Sequence, residues 1–334
     1  TKVSMNQRNA IALSFVVFTF VVILFIFADG LGWLHSDIER HIFINIRLPV
    51  LLTAIGVGSA ISISSGALQI LLRNPLADPG IIGISAGASL MAAIVLLTGS
   101  VAFIPRFFDS MAYYVLPIAC FVGALLSSFI IYALARKLQA SISAVILAGI
   151  GISTIAGAII GWLFIYAPPQ SIKNLSFWLM GSLHNANFTS LAFALPIICI
   201  SAASLIMQGK KLNWLYLGAA SAQLKGIEPI QFERKILTLV ALLVGTSVSI
   251  AGSIAFIGLL IPHFARQLVG HDNRVVLPVS ALMGASLLIM TALINEWLFA
   301  MIVPVSMLTA TIGGPLFIYS LLRQPGALSN ANRG

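Results

Sequence analysis

The sequence predicts an all-α polytopic membrane protein with about ten transmembrane helices. The chain is 59% hydrophobic and only 8% charged, whereas soluble domains carry about 25% charged residues. Apolar runs recur along it, each near the length of about 20 residues that crosses a bilayer as a helix. No run alternates with a period of two, as the strands of an outer-membrane barrel do. A soluble domain of this length could not cover its surface with so few charges.

The apolar runs give the predicted spans in order. We place them at 11–28, 48–70, 81–98, 113–134, 142–165, 190–207, 233–251, 254–264, 275–295 and 303–322. The eighth run is too short to cross a bilayer alone. The first is too long for the apolar region of a typical signal peptide and lacks a convincing small-residue cleavage site, so we expect a retained span. Ten spans put both termini on one side, and residues 1–334 are expected to form a single transmembrane domain.

The basic residues indicate the orientation. Of the 18 Lys and Arg residues, only Arg40, Arg47, Arg106 and Lys173 lie on the side away from the termini. Cytoplasmic loops of membrane proteins carry the excess of Lys and Arg. The side with both termini is therefore predicted to be cytoplasmic. The net charge of +9 follows from this orientation, and it does not indicate a nucleic-acid partner.

Two loops are long enough to hold structure of their own. On the predicted outer side, residues 167–189 include a weakly amphipathic stretch, 171–180, that predicts a short surface helix. On the inner side, residues 208–232 form the largest loop, in which apolar and small residues at helical spacing end at Gly226, a candidate C-terminal helix cap. A short helix without a core of its own should dock on a protein partner, although lying on lipid is the alternative.

A polar hinge, Arg73–Gly80, separates the second and third apolar runs. Pro75 and Pro79 each fix φ near −65° and remove a backbone donor, so no unbroken helix passes through the hinge. Within a membrane protein, such irregular backbone is either a surface connection or the lining of a cavity.

Side-chain chemistry gives little support to an enzyme. The five histidines lack metal-ligand spacing, and the phosphate-binding pattern GxxxxGK[ST] is absent, so we expect no catalytic, metal or cofactor site in this chain. Cys120 and Cys199 lie in separate apolar runs and are interpreted as small buried hydrophobic residues. All nine acidic residues fall in loops or at span edges, which disfavours a proton- or sodium-coupled carrier and a channel with an acidic ring.

Several motifs in register resemble one family. They are RNPLADPG at 73–80 with flanking SGALQ and GISAGAS, RLP at 47–49, FWLMGS at 177–182, the segment 217–226, AGSIAFIGLLIPH at 251–263 and TATIGGP at 309–315. Together they resemble the permease subunits of ABC importers for iron-siderophore complexes, haem and vitamin B12. The resemblance covers nearly the whole chain.

The resemblance implies the type II ABC importer permease fold, with ten helices per subunit in a bacterial cytoplasmic (inner) membrane. It implies a second permease subunit, expected to be another copy of this chain, and a substrate path along the interface that the two share. Two cytoplasmic ATPase subunits would bind the ATP, and an extracytoplasmic binding protein would deliver the substrate. The chain itself would carry out no covalent chemistry.

The resemblance also assigns roles to residues. The positions that match the inner translocation gate are Asn74, Leu76, Ser141, Ile142 and Ser143. The positions that match the helices seated in the ATPase are Leu215, Leu217, Gly218, Ala219, Ala222, Leu224 and Gly226. Arg47 matches a basic position that pairs with acids of the binding protein.

Some positions depart from the family pattern. Ala219 stands where an acid is usual, Val50 replaces a second outer arginine, and Asn295 or Glu296 falls where another arginine is expected. The stretch 302–306 replaces the usual Glu-Leu-Pro-Val-Gly. These departures predict weaker electrostatic docking of the binding protein and a divergent substrate, to which His184 and Asn185 could contribute, although solvent-facing polar residues are the plainer interpretation.

The sequence therefore predicts the membrane permease of an ATP-driven importer of a metal chelate. A permease of the same class that carries a small oxyanion such as molybdate is one alternative. An ion-coupled secondary transporter is another, and a structural membrane scaffold is a third.

Overall fold

Helices make up almost all of the computed structural model, which describes residues 5–28, 36–80, 82–98, 112–137, 142–185, 187–299 and 301–322. The α-helices are Met5–Phe27 (α1), Asp37–Ile42 (α2), Leu48–Leu71 (α3), Ile84–Thr98 (α4), Ala112–Lys137 (α5), Ile142–Tyr166 (α6), Pro169–Leu179 (α7), Phe188–Met207 (α8), Gly209–Tyr216 (α9), Ala219–Gln223 (α10), Pro229–Ala251 (α11), Ile257–Val269 (α12), Asn273–Leu298 (α13) and Val305–Leu322 (α14). A π-helical turn, Phe43–Arg47, joins α2 to α3. No strand occurs in these ranges, which confirms the all-α prediction.

Each predicted span corresponds to one helix. Among the described residues, seven helical stretches are long and apolar enough to cross a membrane, and the three shorter apolar helices are α4, α12 and α14. The 13 residues of α12 reach only about 20 Å at 1.5 Å per residue, against about 30 Å of bilayer core. The expectation for the eighth run is thus confirmed. The predicted outer surface helix is also present as α7.

The second span, predicted at 48–70, corresponds to α3, and a helical extension that was not predicted precedes it. The helical path begins at Asp37 rather than at residue 48 and runs 35 residues to Leu71, about 52 Å at 1.5 Å per residue. Pro49 cannot donate to a carbonyl four residues earlier, and the π turn just before it lets the helix continue past the proline. The whole path is therefore longer than the bilayer core of about 30 Å.

The helix α3 lies at the centre of the bundle and buries most of its side chains. It packs against α8, α11, α12 and α13. Gly58 of α3 meets Gly284 of α13 so closely that a Cβ on either residue would overlap the other's backbone. Small residues allow such close approach between membrane helices. Gly87 of α4 and Gly123 of α5 make the equivalent contact.

The helices α6 and α14 are among those that leave apolar faces uncovered. On α6, Leu147, Ile155 and Trp162 are exposed, and most of the helix surface is unburied. On α14, Ile312 and Leu316 are exposed as well. Apolar surface of this extent must face lipid or another protein.

Candidate translocation and coupling sites

The hinge begins with a Schellman motif at the end of α3. Asn74 N donates to Gln69 O at 3.1 Å and Arg73 N donates to Ile70 O at 3.2 Å, which places Arg73 at the position where helices usually end in glycine. Arg73 has a φ of 44°, and this left-handed conformation costs a non-glycine residue about 1 to 2 kcal/mol. The hinge therefore starts on a strained backbone.

The rest of the hinge is held by short-range and long-range contacts. Asn74 Oδ1 accepts from Leu76 N at 2.9 Å, and Asp78 Oδ1 accepts from Gly80 N at 2.8 Å; both are Asx turns. Asp78 and Ser65 lie against the backbone of Gly258 at the start of α12, where a Cβ would overlap both side chains. The hinge is thus fixed to α12 as well as to α3.

The predicted gate residues can be placed only in part. Asn74 is half-buried and forms the turn, whereas Leu76 is 45% exposed. Ser141 lies outside the described residues, as do the side chains of Ile142 and Ser143 at the start of α6. Their assignment as an inner gate stays a prediction.

A cavity of about 500 Å³ opens beside the hinge. We call it the hinge cavity. It brings together Leu76 of the hinge, Tyr216 at the end of α9, Arg266 of α12 and Phe317 of α14. Three stretches that the sequence singled out separately, namely the hinge, the inner loop and the last span, therefore meet at one end of the bundle.

The segment Leu215–Gly226, which we call the coupling segment, lies at this same end. Gly218 and Gly226 have φ values of 121° and 73°, and they interrupt the segment before and after α10. Gly226 closes a second Schellman motif, since Ile227 N donates to Ala222 O at 3.0 Å. The predicted cap is thus confirmed.

Exposure divides the coupling segment into two faces. Leu215 and Ala222 are buried against the bundle, whereas Leu217 is 64% exposed and Leu224 is 87% exposed. Gly218 is half-buried, and Ala219 and Gly226 are exposed. The two leucines of this short segment present apolar surface outward, and the assignment of these positions to ATPase docking stays a prediction.

A polar cluster anchors the start of this region to α13. Asn213 Nδ2 donates to Asp272 Oδ1 at 2.7 Å, and Asn213 Oδ1 accepts from Asn273 N at 2.9 Å. The Arg274 guanidinium, helped by the Asn213 amide, lowers the pKa of Asp272 to about 2. Gly209 lies directly on the backbone of residues 273–274. The residues just before the coupling segment are therefore fixed to the N-terminus of α13.

Arg47 lies at the opposite end of α3 and is 6% exposed. Its Nη2 donates to Glu296 Oε2 and to Phe25 O, both at 3.1 Å, and its guanidinium stacks 5.0 Å from the Phe25 ring centroid. The side chain thus joins α1, α3 and α13. Docking of a binding protein by Arg47 stays a prediction, and the structure adds that this cation already pairs with an acid of its own chain.

Polar residues from α7 and the following loop line a cavity of about 740 Å³ at the Arg47 end. Lys173, His184 and Asn185 are among them. Burial lowers the pKa of His184. This imidazole also borders a smaller cavity of about 220 Å³ with Arg47 and Glu296.

The departures from the family pattern have structural partners. Asn295 Nδ2 donates to Val303 O at 2.8 Å, and Val303 N donates back to Asn295 Oδ1 at 3.0 Å. Ser306 Oγ donates to Ser253 O at 2.9 Å and accepts from Ala255 N at 3.2 Å. Both residues hold the turn before α14, and Val50 is buried in the core.

The FecCD transport family matches residues 7–323. The chain belongs to this family. The hemin transport system permease protein HmuU of Yersinia pestis is 38% identical over 86% of this chain and 85% of the relative. The vitamin B12 import system permease protein BtuC of Vibrio cholerae is 34% identical over 92% of each chain.

A solved structure shares the fold. It is an inward-facing conformation of a transporter assigned to the metal-chelate type of ABC transporters, 27% identical, with a TM-score of 0.84 over 93% of this chain and 99% of the other. The resemblance and the permease fold are therefore confirmed. The oxyanion and ion-coupled alternatives gain no support from these relatives.

Proposed function

We propose that this chain is the membrane permease of an ATP-driven importer that moves a metal chelate inward by alternating access. The observation that carries this proposal is the coupling segment, which exposes apolar side chains and follows directly on Asn213, the residue bonded to the N-terminus of α13. Family membership supports the same reading. The hinge end of the bundle is then the cytoplasmic end of a protein in the bacterial inner membrane, because most Lys and Arg residues lie there.

The coupling segment would receive the ATPase subunits. Leu217 and Leu224 present apolar surface that no residue of the described chain covers. The hydrogen bonds from Asn213 to Asp272 and Asn273 would pass a displacement of this segment to α13. ATP would be bound and hydrolysed on the partner subunits, with none of the chemistry on this chain.

A second copy of this chain would pair through α6 and α14. Gly151, Gly157 and Gly161 of α6 and Gly314 of α14 have open space where a Cβ would stand. Gly157 and Gly161 form a GxxxG pattern, which lets two membrane helices pack closely. A helix face that contacts only lipid would not need glycine at several positions. The substrate path would run between the two copies, with the hinge as its inner gate and Arg73 holding the gate backbone.

The substrate class follows from the relatives. The names of the two relatives above refer to hemin and vitamin B12, both of which are large metal-macrocycle complexes. We propose a chelate of this size as the cargo, delivered by an extracytoplasmic binding protein that docks on the Arg47 end.

Uptake into sealed vesicles tests the proposal. The permease would be reconstituted with its copurifying ATPase and binding protein. Hemin or cobalamin would be supplied on the side of the binding protein, and ATP or a non-hydrolysable analogue on the side of the ATPase. We expect uptake of one chelate that needs hydrolysable ATP and survives a protonophore. Uptake that continues without ATP and collapses with the proton gradient would show an ion-coupled carrier instead.

A further inference from the structure

The hinge cavity is lined by basic groups. Arg73 and Arg266 contribute guanidinium groups, and His263 and His271 contribute imidazoles, while no carboxylate is among the lining residues. An acid, Glu233 of α11, interacts with Arg73 from outside the lining. The two guanidinium groups therefore place positive charge at a space of about 500 Å³.

The Arg266 guanidinium is held in place by neutral partners. Its Nη1 donates to Gln69 Oε1, and its Nη2 donates to Gly66 O at 3.1 Å. Gln69 is buried, and its own Nε2 donates to Gly258 O at 3.3 Å. Within the described residues, Arg266 makes no ion pair with a carboxylate. A cation shielded from solvent is normally paired with a carboxylate. Among the described residues, Arg266 is therefore a fixed cation without such a carboxylate partner.

Arg73 is the second cation at the hinge cavity, and its backbone conformation is strained. It occupies the left-handed position of the Schellman motif, where glycine would fit without strain. Strained residues cluster at binding and switching sites. An arginine at this position places a guanidinium at the mouth of the cavity.

We propose that the hinge cavity binds a carboxylate or phosphate group of the cargo on its way into the cytoplasm. Guanidinium groups recognise both anions through paired charge-assisted hydrogen bonds. Because Leu76 and Tyr216 border the same space, the bound anion lies between the hinge and the coupling segment. The inference rests on the proposed function, and it adds that the chelate carries an anionic group.

Direct binding to the assembled permease and ATPase in phosphatidylcholine nanodiscs tests the site. Citrate is the probe, and its neutral trimethyl ester is the matched control ligand, both measured by calorimetry. We expect the protein to bind citrate and not the ester. Arg73→Asn and Arg266→Gln should each weaken citrate binding by about tenfold, the loss of one charge-assisted contact. Absence of citrate binding to the unaltered protein overturns the proposal.

Comparisons among three variants separate loss of the binding site from general effects on net charge and folding. Arg234→Gln removes an exposed arginine outside the cavity and should leave citrate affinity unchanged; an equal loss there would mean that only net charge matters and would overturn the site. Asparagine tolerates the left-handed conformation at residue 73, so Arg73→Asn should fold. It therefore tests the site even where Arg266→Gln does not fold. Arg266→Lys should retain part of the affinity.

A lipid headgroup has the same chemistry as the proposed cargo group. The titration is therefore repeated in nanodiscs that contain phosphatidylglycerol. Unchanged citrate affinity supports the cargo role, whereas loss of citrate binding assigns the cavity to lipid and overturns that role. ATP-dependent uptake of the chelate is measured on the same preparations. If the protein does not bind citrate but still imports the chelate with ATP, this inference alone is rejected. If uptake does not depend on ATP, the proposed function is rejected.

Discussion

The helices α3 and α6 are both apolar and rich in glycine, yet Gly58 of α3 and the glycines in the second half of α6 lie in opposite environments. On α3, Gly58 packs against the backbone of Gly284, and a Cβ there would overlap it. On α6, Gly157 and Gly161 have open space. The same sequence signal therefore accompanies close packing inside the chain in the first helix and open space on the helix surface in the second.

Alanine at each position gives the largest contrast. Gly58→Ala should destabilise the folded chain by about 3 kcal/mol, because the helix backbones must separate. Gly157→Ala should be neutral or stabilise the chain by up to about 1 kcal/mol through helix propensity. Unfolding in mixed detergent measures both values. Equal effects of the two substitutions would remove the distinction between the helices.

Bulk on the open face tests what covers it. Gly157→Leu should leave the fold of each subunit intact and separate the two copies, since a side chain would enter their contact. The mass of the solubilised protein measures the oligomer. Cys199→Leu is the matched control and should leave the pair intact, since Cys199 is exposed on α8 and not buried as the sequence predicted. A Gly157→Leu protein that remains paired would place the interface elsewhere.

The buried cation at the Arg47 end should contribute less. Arg47→Met should cost about 2 kcal/mol, because Glu296 is left half-buried without its partner. Arg40→Met, at an exposed position in α2, should change little. Adding Glu296→Gln to Arg47→Met should recover part of the loss. If the double variant is no more stable than Arg47→Met, the ion pair is not the source of the stability.

The Asp272 cluster gives the smallest effect and depends on pH. The pKa of Asp272 is about 2 in the folded protein, below the value of about 3.9 expected for an unfolded chain. Its contribution is thus present above about pH 4 and is lost as the pH falls towards 2. After solvent screening it amounts to about 1 kcal/mol. The stability difference between the unaltered protein and Asp272→Asn should shrink over this range, and a constant difference would contradict the assignment.

Local signals predicted most of the helices and their ends. Apolar runs located every span, and Gly226 was recognised as a cap because glycine is the usual residue in that conformation. The cap at Arg73 was missed for the same reason, since an arginine there carries no such signal. The helical extension before the second span was missed because the π turn that joins it to α3 has no sequence signature.

Long-range polar contacts could not be predicted. Arg47 and Glu296 are 249 positions apart, and Asn213 and Asp272 are 59 apart, so nothing local links either pair. The Asp272-Asn273 step before an apolar run does have the form of a helix N-cap, which could have located that cluster. The gathering of the hinge, Tyr216 and Phe317 around one cavity required the fold.

Coupling between ATP hydrolysis and uptake tests the central claim most directly. Leu217→Glu and Leu224→Glu place charge on the outward face of the coupling segment, and Ile230→Glu, exposed at the start of α11, is the matched control. In reconstituted transporter, the number of chelate molecules imported per ATP should fall about tenfold or more for both segment variants, with the subunits still folded and with the control unchanged. Unaltered import per ATP in Leu217→Glu and Leu224→Glu would contradict an importer driven through this segment.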